Sequence, residues 1–228
     1  ISSKKTSSEG LNSWSNYVKS FGMGKIFNDD LNNKKSGFVP NSDYYNDIYG
    51  KRRWASSTCI SLGIGQDALL MTPVQMANLA AIIANKGYYI TPHIIKKINY
   101  SNTQIPNEFY QKIYCNVDEN YFSPIILGMQ TAIEGKDGTA KSAKIEDITI
   151  CGKTGTAQNP HGKDHSIFVA FAPKKNPIIA IAIYVENGGW GSEIAAPIGS
   201  LCIEKYIKGI TNRSNLETKI INTKLNDS

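Results

Sequence analysis

The sequence predicts an α+β fold, an antiparallel sheet flanked by helices, on two observations. Three apolar runs rich in β-branched residues, Ile145 to Cys151, Ile167 to Ala172 and Ile178 to Val185, follow one another at short spacing. Strands joined that closely pair antiparallel, because a parallel neighbour needs a long crossover. Around them lie segments with chemically explicit helix starts and stops. With 228 residues the chain is long enough to bury one sizeable core.

Taken in order, Ser7 or Ser8 can cap a helix to about Ser20, with Leu11, Trp14, Val18 and Phe21 on its apolar face and Gly22 as its stop. Residues 25 to 53 are polar and rich in Asn, Asp, Lys and Tyr, and read as a long loop. In it Tyr44, Tyr45 and Tyr49 read as a Tyr-rich surface. Gly63, Gly65 and Gln66 suit a turn. Thr72-Pro73-Val74-Gln75 is a capping box with Pro at the first helical position, opening a helix from Val74 to Asn85 that Gly87 closes. Its near-uniform apolar character predicts a central buried helix. Ser123-Pro124 repeats the start signal for a helix through Glu134, ended by Gly135. The run from Ile178 to Val185 is apolar throughout, as expected of a strand covered on both faces. A last helix, about Ile194 to Lys208, packs on the sheet and stops at Gly209, and residues 211 to 228 read as a disordered tail.

Composition removes several function classes. The net charge is +6, but the basic residues are scattered and form no stripe, so nucleic acid is not an expected partner. Cys59, Cys115, Cys151 and Cys202 include no C-x-x-C and no paired His, so no metal is expected. Cys59, Cys151 and Cys202 sit in apolar surroundings and read as small core residues. His165 reads as a polar strand end, and His93 and His161 as loop residues. No segment has the length of a transmembrane helix, and no signal peptide stands in this sequence.

The chemistry concentrates in Ile150-Cys151-Gly152-Lys153-Thr154-Gly155-Thr156-Ala157-Gln158. Lys brings a fixed positive charge, Thr a hydroxyl donor for a carboxylate, and Gly a place where another backbone can come close. Gly-Lys-Thr also ends a nucleotide-binding P-loop, but that loop needs a Gly where Asp147 stands. A plain strand end carrying Lys-Thr-Gly is the structural alternative. Further blocks decide against it: Arg53-Trp54-Ala55-Ser56-Ser57-Thr58, Ser61-Leu62-Gly63-Ile64-Gly65-Gln66, Thr72-Pro73-Val74-Gln75-Met76-Ala77, and Phe168-Val169-Ala170-Phe171-Ala172-Pro173.

From about Gly10 to Gly209 this order resembles the transpeptidase domain of class B penicillin-binding proteins, most like the elongation-type penicillin-binding protein 2. The resemblance implies the penicillin-binding protein and β-lactamase-like fold. It implies a serine acyl-enzyme that cross-links peptidoglycan stem peptides, is blocked by β-lactams and uses no metal or organic cofactor. The implied seat is the periplasmic face of the inner membrane, held by an N-terminal anchor that this chain lacks, with elongation-complex membrane proteins as partners. It assigns Lys153 the positive charge beside the substrate carboxylate, Thr154 the hydroxyl that binds that carboxylate, and Thr156 a backbone N–H for the oxyanion hole. Gly155 keeps the strand clear for the substrate backbone.

The pattern departs from the family at two points. The family also uses S-x-x-K and S-x-N. Here the one S-x-x-K is Ser2-Ser3-Lys4-Lys5, without apolar surroundings, and S-x-N does not occur. The chain is therefore expected to be the C-terminal part of such a domain over residues 1 to 210, incomplete at its N-terminus and inactive alone. A binding-only module that docks wall precursors or elongation partners is an alternative, as is a D,D-carboxypeptidase or β-lactam sensor of the same fold.

Overall fold

Thr6-x-x-Glu9 opens the first helix, α1 (Ser7–Ser20). The Thr6 hydroxyl accepts from the Glu9 N–H at 3.2 Å, and the Glu9 carboxylate accepts from the Thr6 N–H at 3.1 Å. The cap is thus Thr6, one residue before the serines, because only Thr6 has Glu at the third helical position. The structure, a computed structural model, describes residues 6–27, 35–96 and 107–225. Ser2 lies outside them, as do residues 28–34 of the expected loop. The chain forms two compact units, residues 1–75 with 88–117, and residues 76–87 with 118–228.

In the first unit a helix, α2 (Ser42–Tyr49), stands inside the segment expected to be a loop. Asn41 caps it, its side chain accepting from the Tyr44 N–H at 3.1 Å. Tyr45 is 1% exposed. Its hydroxyl donates to Asp67, and its ring lies 5.4 Å from that of Trp54. Tyr44 packs beside it, while Tyr49 is exposed. The polar composition hid an aromatic core that also takes in Leu11, Cys59 and Leu62. A 3-10 helix, Ser56–Ile64, ends at Gly65 with φ 79°, as the turn reading expects. The capping box of α3 (Pro73–Ala84) forms as expected: the Gln75 N–H donates to the Thr72 hydroxyl at 3.2 Å and the Gln75 amide oxygen accepts from the Thr72 N–H at 2.9 Å. Buried Gln75 also donates to the carbonyls of Lys25 and Ser36. Two short strands, β1 (Tyr88–Tyr89) and β2 (Ile113–Tyr114), pair antiparallel.

The second unit holds α3 from Met76 onward, α4 (Phe122–Glu134), a three-stranded sheet and two further helices. In this part of α3 Met76, Asn78, Ala80 and Ile82 are buried and the residues between them half-buried, so the helix is not buried all round as its composition suggested. The sheet runs β3-β4-β5, antiparallel throughout, with β3 Cys151–Ala157, β4 His165–Ala172 and β5 Ile179–Val185. The expected strand from Ile145 to Cys151 is not one. Asp147 takes φ 68°, the left-handed region, and turns the chain so that Ile145 bridges Ile148. Ile145, Ile148 and Ile150 bury in the core, and regular pairing begins at Cys151.

Helix α5 (Ala195–Lys208) covers one sheet face, where Phe168, Ala170 and Ala172 are wholly buried with Ala195, Ala196 and Ile203. Close approach is possible because Gly199 faces Phe168, where a Cβ would lie 2.6 Å from the ring. On the opposite face Ile167 and Val169 stay half-buried. Strand β5 is half-buried too, with Tyr184 exposed, and so is not covered on both faces as its composition suggested. Cys59 and Cys151 are buried, but Cys202 points outward from α5 and is exposed, against the core reading.

Beyond Gly209 the sequence predicts a tail, yet helix α6 (Ser214–Ile221) forms there. Its anchor lies on α5, nine and thirteen residues back along the chain. Arg213 donates from Nε to the buried carboxylate of Glu204 at 2.8 Å and from Nη1 to Ser200 Oγ at 3.1 Å. Among the described residues no helix is long and apolar enough to cross a membrane.

Candidate active site

Every sequence-derived site residue lies on β3. Its side chains alternate, so Lys153 and Gly155 share one face while Gly152, Thr154 and Thr156 share the other. Cross-strand partners are Val169 for Lys153, Phe168 for Thr154, Ile167 for Gly155 and Ser166 for Thr156. Among the described residues β3 pairs on one side only and is an edge of the sheet. An edge strand presents unpaired N–H and C=O groups, the groups an extended peptide needs.

Lys153 is exposed, and its Nζ donates to the carbonyl of Thr154 at 2.6 Å. Gly152 is buried, since a Cβ there would lie 2.7 Å from the Phe168 ring. Gly155 serves a different contact: Gly191 presses so close that a Cβ on Gly191 would lie 2.4 Å from the carbonyl oxygens of both Gly155 and Ile167. The segment from Gly188 to Ile194 is thus seated on β3 and β4. Ser166 clamps it, its hydroxyl donating to the Trp190 carbonyl at 3.0 Å and accepting from the Ala195 N–H at 3.1 Å.

Thr156 lines a cavity of about 410 Å³ together with Lys163, Asp164, Trp190, Glu193 and Lys224. The cavity carries both signs of charge and one exposed indole. Thr154 donates its hydroxyl to that of Thr139 at 3.3 Å. Sequence reasoning did not find Thr139, Trp190 or Gly191. The run Gly188-Gly189-Trp190-Gly191 was the available signal for the last two, and nothing in the sequence marks Thr139.

Other reactive side chains are accounted for. Cys151 opens β3 but is wholly buried, and its thiol is pushed up to about 11. Burial is the main cause; the Glu134 carboxylate adds to it, and the Lys174 ammonium opposes it. A thiol so held is not a nucleophile near neutral pH. His165 Nδ1 accepts from the Asn187 N–H at 3.2 Å, and the ring packs against Tyr184, in keeping with a strand-end role. His93 Nδ1 contacts the Thr91 carbonyl at 2.8 Å, and His161 is exposed. Among the described residues no three His, Cys, Asp or Glu side chains gather to hold a metal ion.

An edge strand of this sequence on an antiparallel sheet backed by a C-terminal helix agrees with what residues 2–204 match: the family "Penicillin binding protein transpeptidase domain". The chain belongs to that family. Within it the match is to the class B, penicillin-binding protein 2 type. The crystal structure of Pseudomonas aeruginosa PBP2 in complex with WCK 5153 is similar with TM-score 0.75 and 31% identity, over 90% of this chain and 45% of that one. Penicillin-binding protein 2 from Helicobacter pylori follows at TM-score 0.72 and 27% identity, over 88% of this chain and 36% of that one. The peptidoglycan D,D-transpeptidase MrdA of Haemophilus influenzae is 29% identical over 221 residues, 87% of this chain and 33% of the relative. That of Acinetobacter baumannii is 31% identical over 83% of this chain and 30% of the relative. The chain therefore spans about a third of the length of these curated relatives (33% and 30%).

Proposed function

We propose that this chain supplies the substrate-binding strand of a peptidoglycan D,D-transpeptidase that works through a serine acyl-enzyme. The reading rests on one observation above the others: Lys153-Thr154-Gly155-Thr156 occupies an edge strand in a chain of the penicillin-binding family. A stem peptide lies along β3 as an added strand. The Lys153 ammonium and the Thr154 hydroxyl hold its terminal carboxylate, or that of a β-lactam. The Thr156 N–H faces the oxygen that gains charge as the carbonyl is attacked. The acyl group then passes to the amine of a neighbouring stem.

The nucleophile is not among residues 1–228 on this reading, so the chain by itself does not acylate. The enzyme acts at the periplasmic face of the inner membrane. Elongation-complex membrane proteins are its proposed partners, a reading supported by a similar structure, the complex of penicillin-binding protein 2 with MreC from Helicobacter pylori, at 26% identity and TM-score 0.69. The absence of S-x-N from the chain is what favours the second reading, a module that binds without chemistry.

The test is labelling with a fluorescent penicillin, on residues 1–228 alone and on the natural protein with every residue that precedes Ile1. The transpeptidase reading expects a covalent band only in the second. No band in either leaves the binding-only module. In the labelled protein, Lys153→Ala is expected to cost about 2–4 kcal/mol in the acylation barrier, and Thr154→Val about 1–3 kcal/mol. Thermal midpoints should hold for both. If both variants acylate at the parent rate, the triplet is an ordinary strand end.

A further inference from the structure

We infer that Thr139 is a positioning residue for Thr154, holding the hydroxyl that receives the substrate carboxylate; this rests on the substrate-binding role proposed for Thr154. The two hydroxyl oxygens are 3.3 Å apart, with Thr154 donating. A threonine hydroxyl has one proton and two acceptor sites. With Thr139 as its neighbour, the Thr154 proton has a defined resting place in the empty site. When a carboxylate arrives, that proton turns to the anion, and the Thr139 proton turns to the lone pair left open on Thr154. The pair thus keeps both oxygens satisfied in both states, and a donor that is itself accepting a hydrogen bond is the stronger donor.

The frame around Thr139 fits such a role. Its own side chain is exposed, so it does not fill the core. Both its neighbours are fixed. Gly138 lies so close to the end of α4 that a Cβ would stand 2.5 Å from the Ala132 carbonyl oxygen. Ala140 is wholly buried, and its N–H donates to the same carbonyl at 2.8 Å. An exposed side chain is thereby carried on backbone that cannot drift. Its partner sits on a strand paired residue by residue with β4. A hydroxyl held from two such elements loses little freedom on binding.

The experiment uses the natural protein, including every residue before Ile1, and a β-lactam with a free carboxylate. Thr139→Val, Thr139→Ser, Thr154→Val and the double Val variant are compared by acylation kinetics that separate pre-acylation binding from the chemical step. Thr139→Val should weaken binding about 3- to 10-fold, the size of one neutral hydrogen bond, with the chemical step little changed. Thr139→Ser should restore it. Thr139→Val should have no further effect once Thr154 is Val, nor on a β-lactam whose carboxylate is esterified. Thermal midpoints should match the parent. Parent binding by Thr139→Val, or an equal loss in the Thr154→Val background, overturns the inference while a slow Thr154→Val keeps the strand's role intact. Parent behaviour by Thr154→Val itself overturns both.

Discussion

Replacing Gly191 by Ala tests whether the Gly188–Ile194 segment is seated on β3. The added methyl would stand 2.4 Å from the carbonyl oxygens of Gly155 and Ile167. An ordinary carbon–oxygen contact is about 3.3 Å or more, so roughly an ångström must be made up. Neither carbonyl can yield easily, because β3 and β4 are paired along seven residue pairs. The segment must lift instead, and the bonds that hold it are the Ser166 hydroxyl to the Trp190 carbonyl at 3.0 Å and the Ala196 N–H to the Gly191 carbonyl at 2.9 Å. Overpacking costs about 1–3 kcal/mol, and an unsatisfied buried polar group about 1–3 kcal/mol more. The expected total is about 2–6 kcal/mol, a fall of roughly 4–24 °C in the melting midpoint for a chain of this size. Thermal unfolding of the natural protein, with β-lactam acylation measured beside it, reads both consequences. A midpoint within a degree of the parent, with acylation intact, would show that Gly191 does not press on Gly155 and that the segment moves freely over β3.

Two further outcomes follow from burial and charge. Arg213→Ala leaves the Glu204 carboxylate, 2% exposed, with Lys208 at 3.7 Å as its one ion-pair partner among the described residues; the cost in urea unfolding should be about 2–4 kcal/mol, slightly below that of a wholly orphaned buried charge, and Glu204→Gln in the same chain should recover part of it. Stability should also fall as pH rises above about 9, because burial lifts the Cys151 thiol from 9.0 to about 11 and raises Cys59, Tyr45 and Tyr89 in the same direction. Below that range folded and unfolded chains both keep these protons; within it the unfolded chain releases them first, so proton loss drains the folded state. Urea midpoints taken from about pH 8 to about pH 11 should slope downward, and Cys151→Ala should flatten the slope; a flat profile in the parent refutes the burial of these groups.

The elements that were legible in the sequence are those whose signals are local. The box Thr72–Gln75, the stop at Gly209 and the apolar runs of β4 and β5 depend on residues a few places apart, and each element forms within a few residues of its expected bounds. The misses share a cause as well. Helix α2 has a polar surface and an aromatic side that matters only against Trp54 and Leu11. Helix α6 depends on Arg213 reaching Glu204. The run from Ile145 to Ile150 is apolar because it is core, not because it is extended, and Asp147 alone breaks it. The site divides the same way. Lys153 to Thr156 announce themselves as a motif, while Thr139 and Gly191 reach the strand from loops 15 residues before Thr154 and 36 residues after Gly155.

An edge strand that can receive a peptide, as proposed for β3, is open to every peptide, including its own copy. Protein sheets commonly guard such borders with lysine or with irregular backbone. If Lys153 holds the substrate carboxylate as proposed, the guard and the recognition group on β3 coincide. Two molecules aligned border to border in antiparallel register about Lys153 would set two Lys153 ammonium groups directly across from one another, and like charges so placed disfavour pairing. A stem peptide or β-lactam offers a carboxylate in the same place. On the proposed function one charge serves as a sieve against self-association and as an attraction for the intended guest, so Lys153→Ala should make the protein more prone to cluster as well as slower to acylate. Light scattering of that variant against Lys153→Arg, which keeps the charge, separates the two duties.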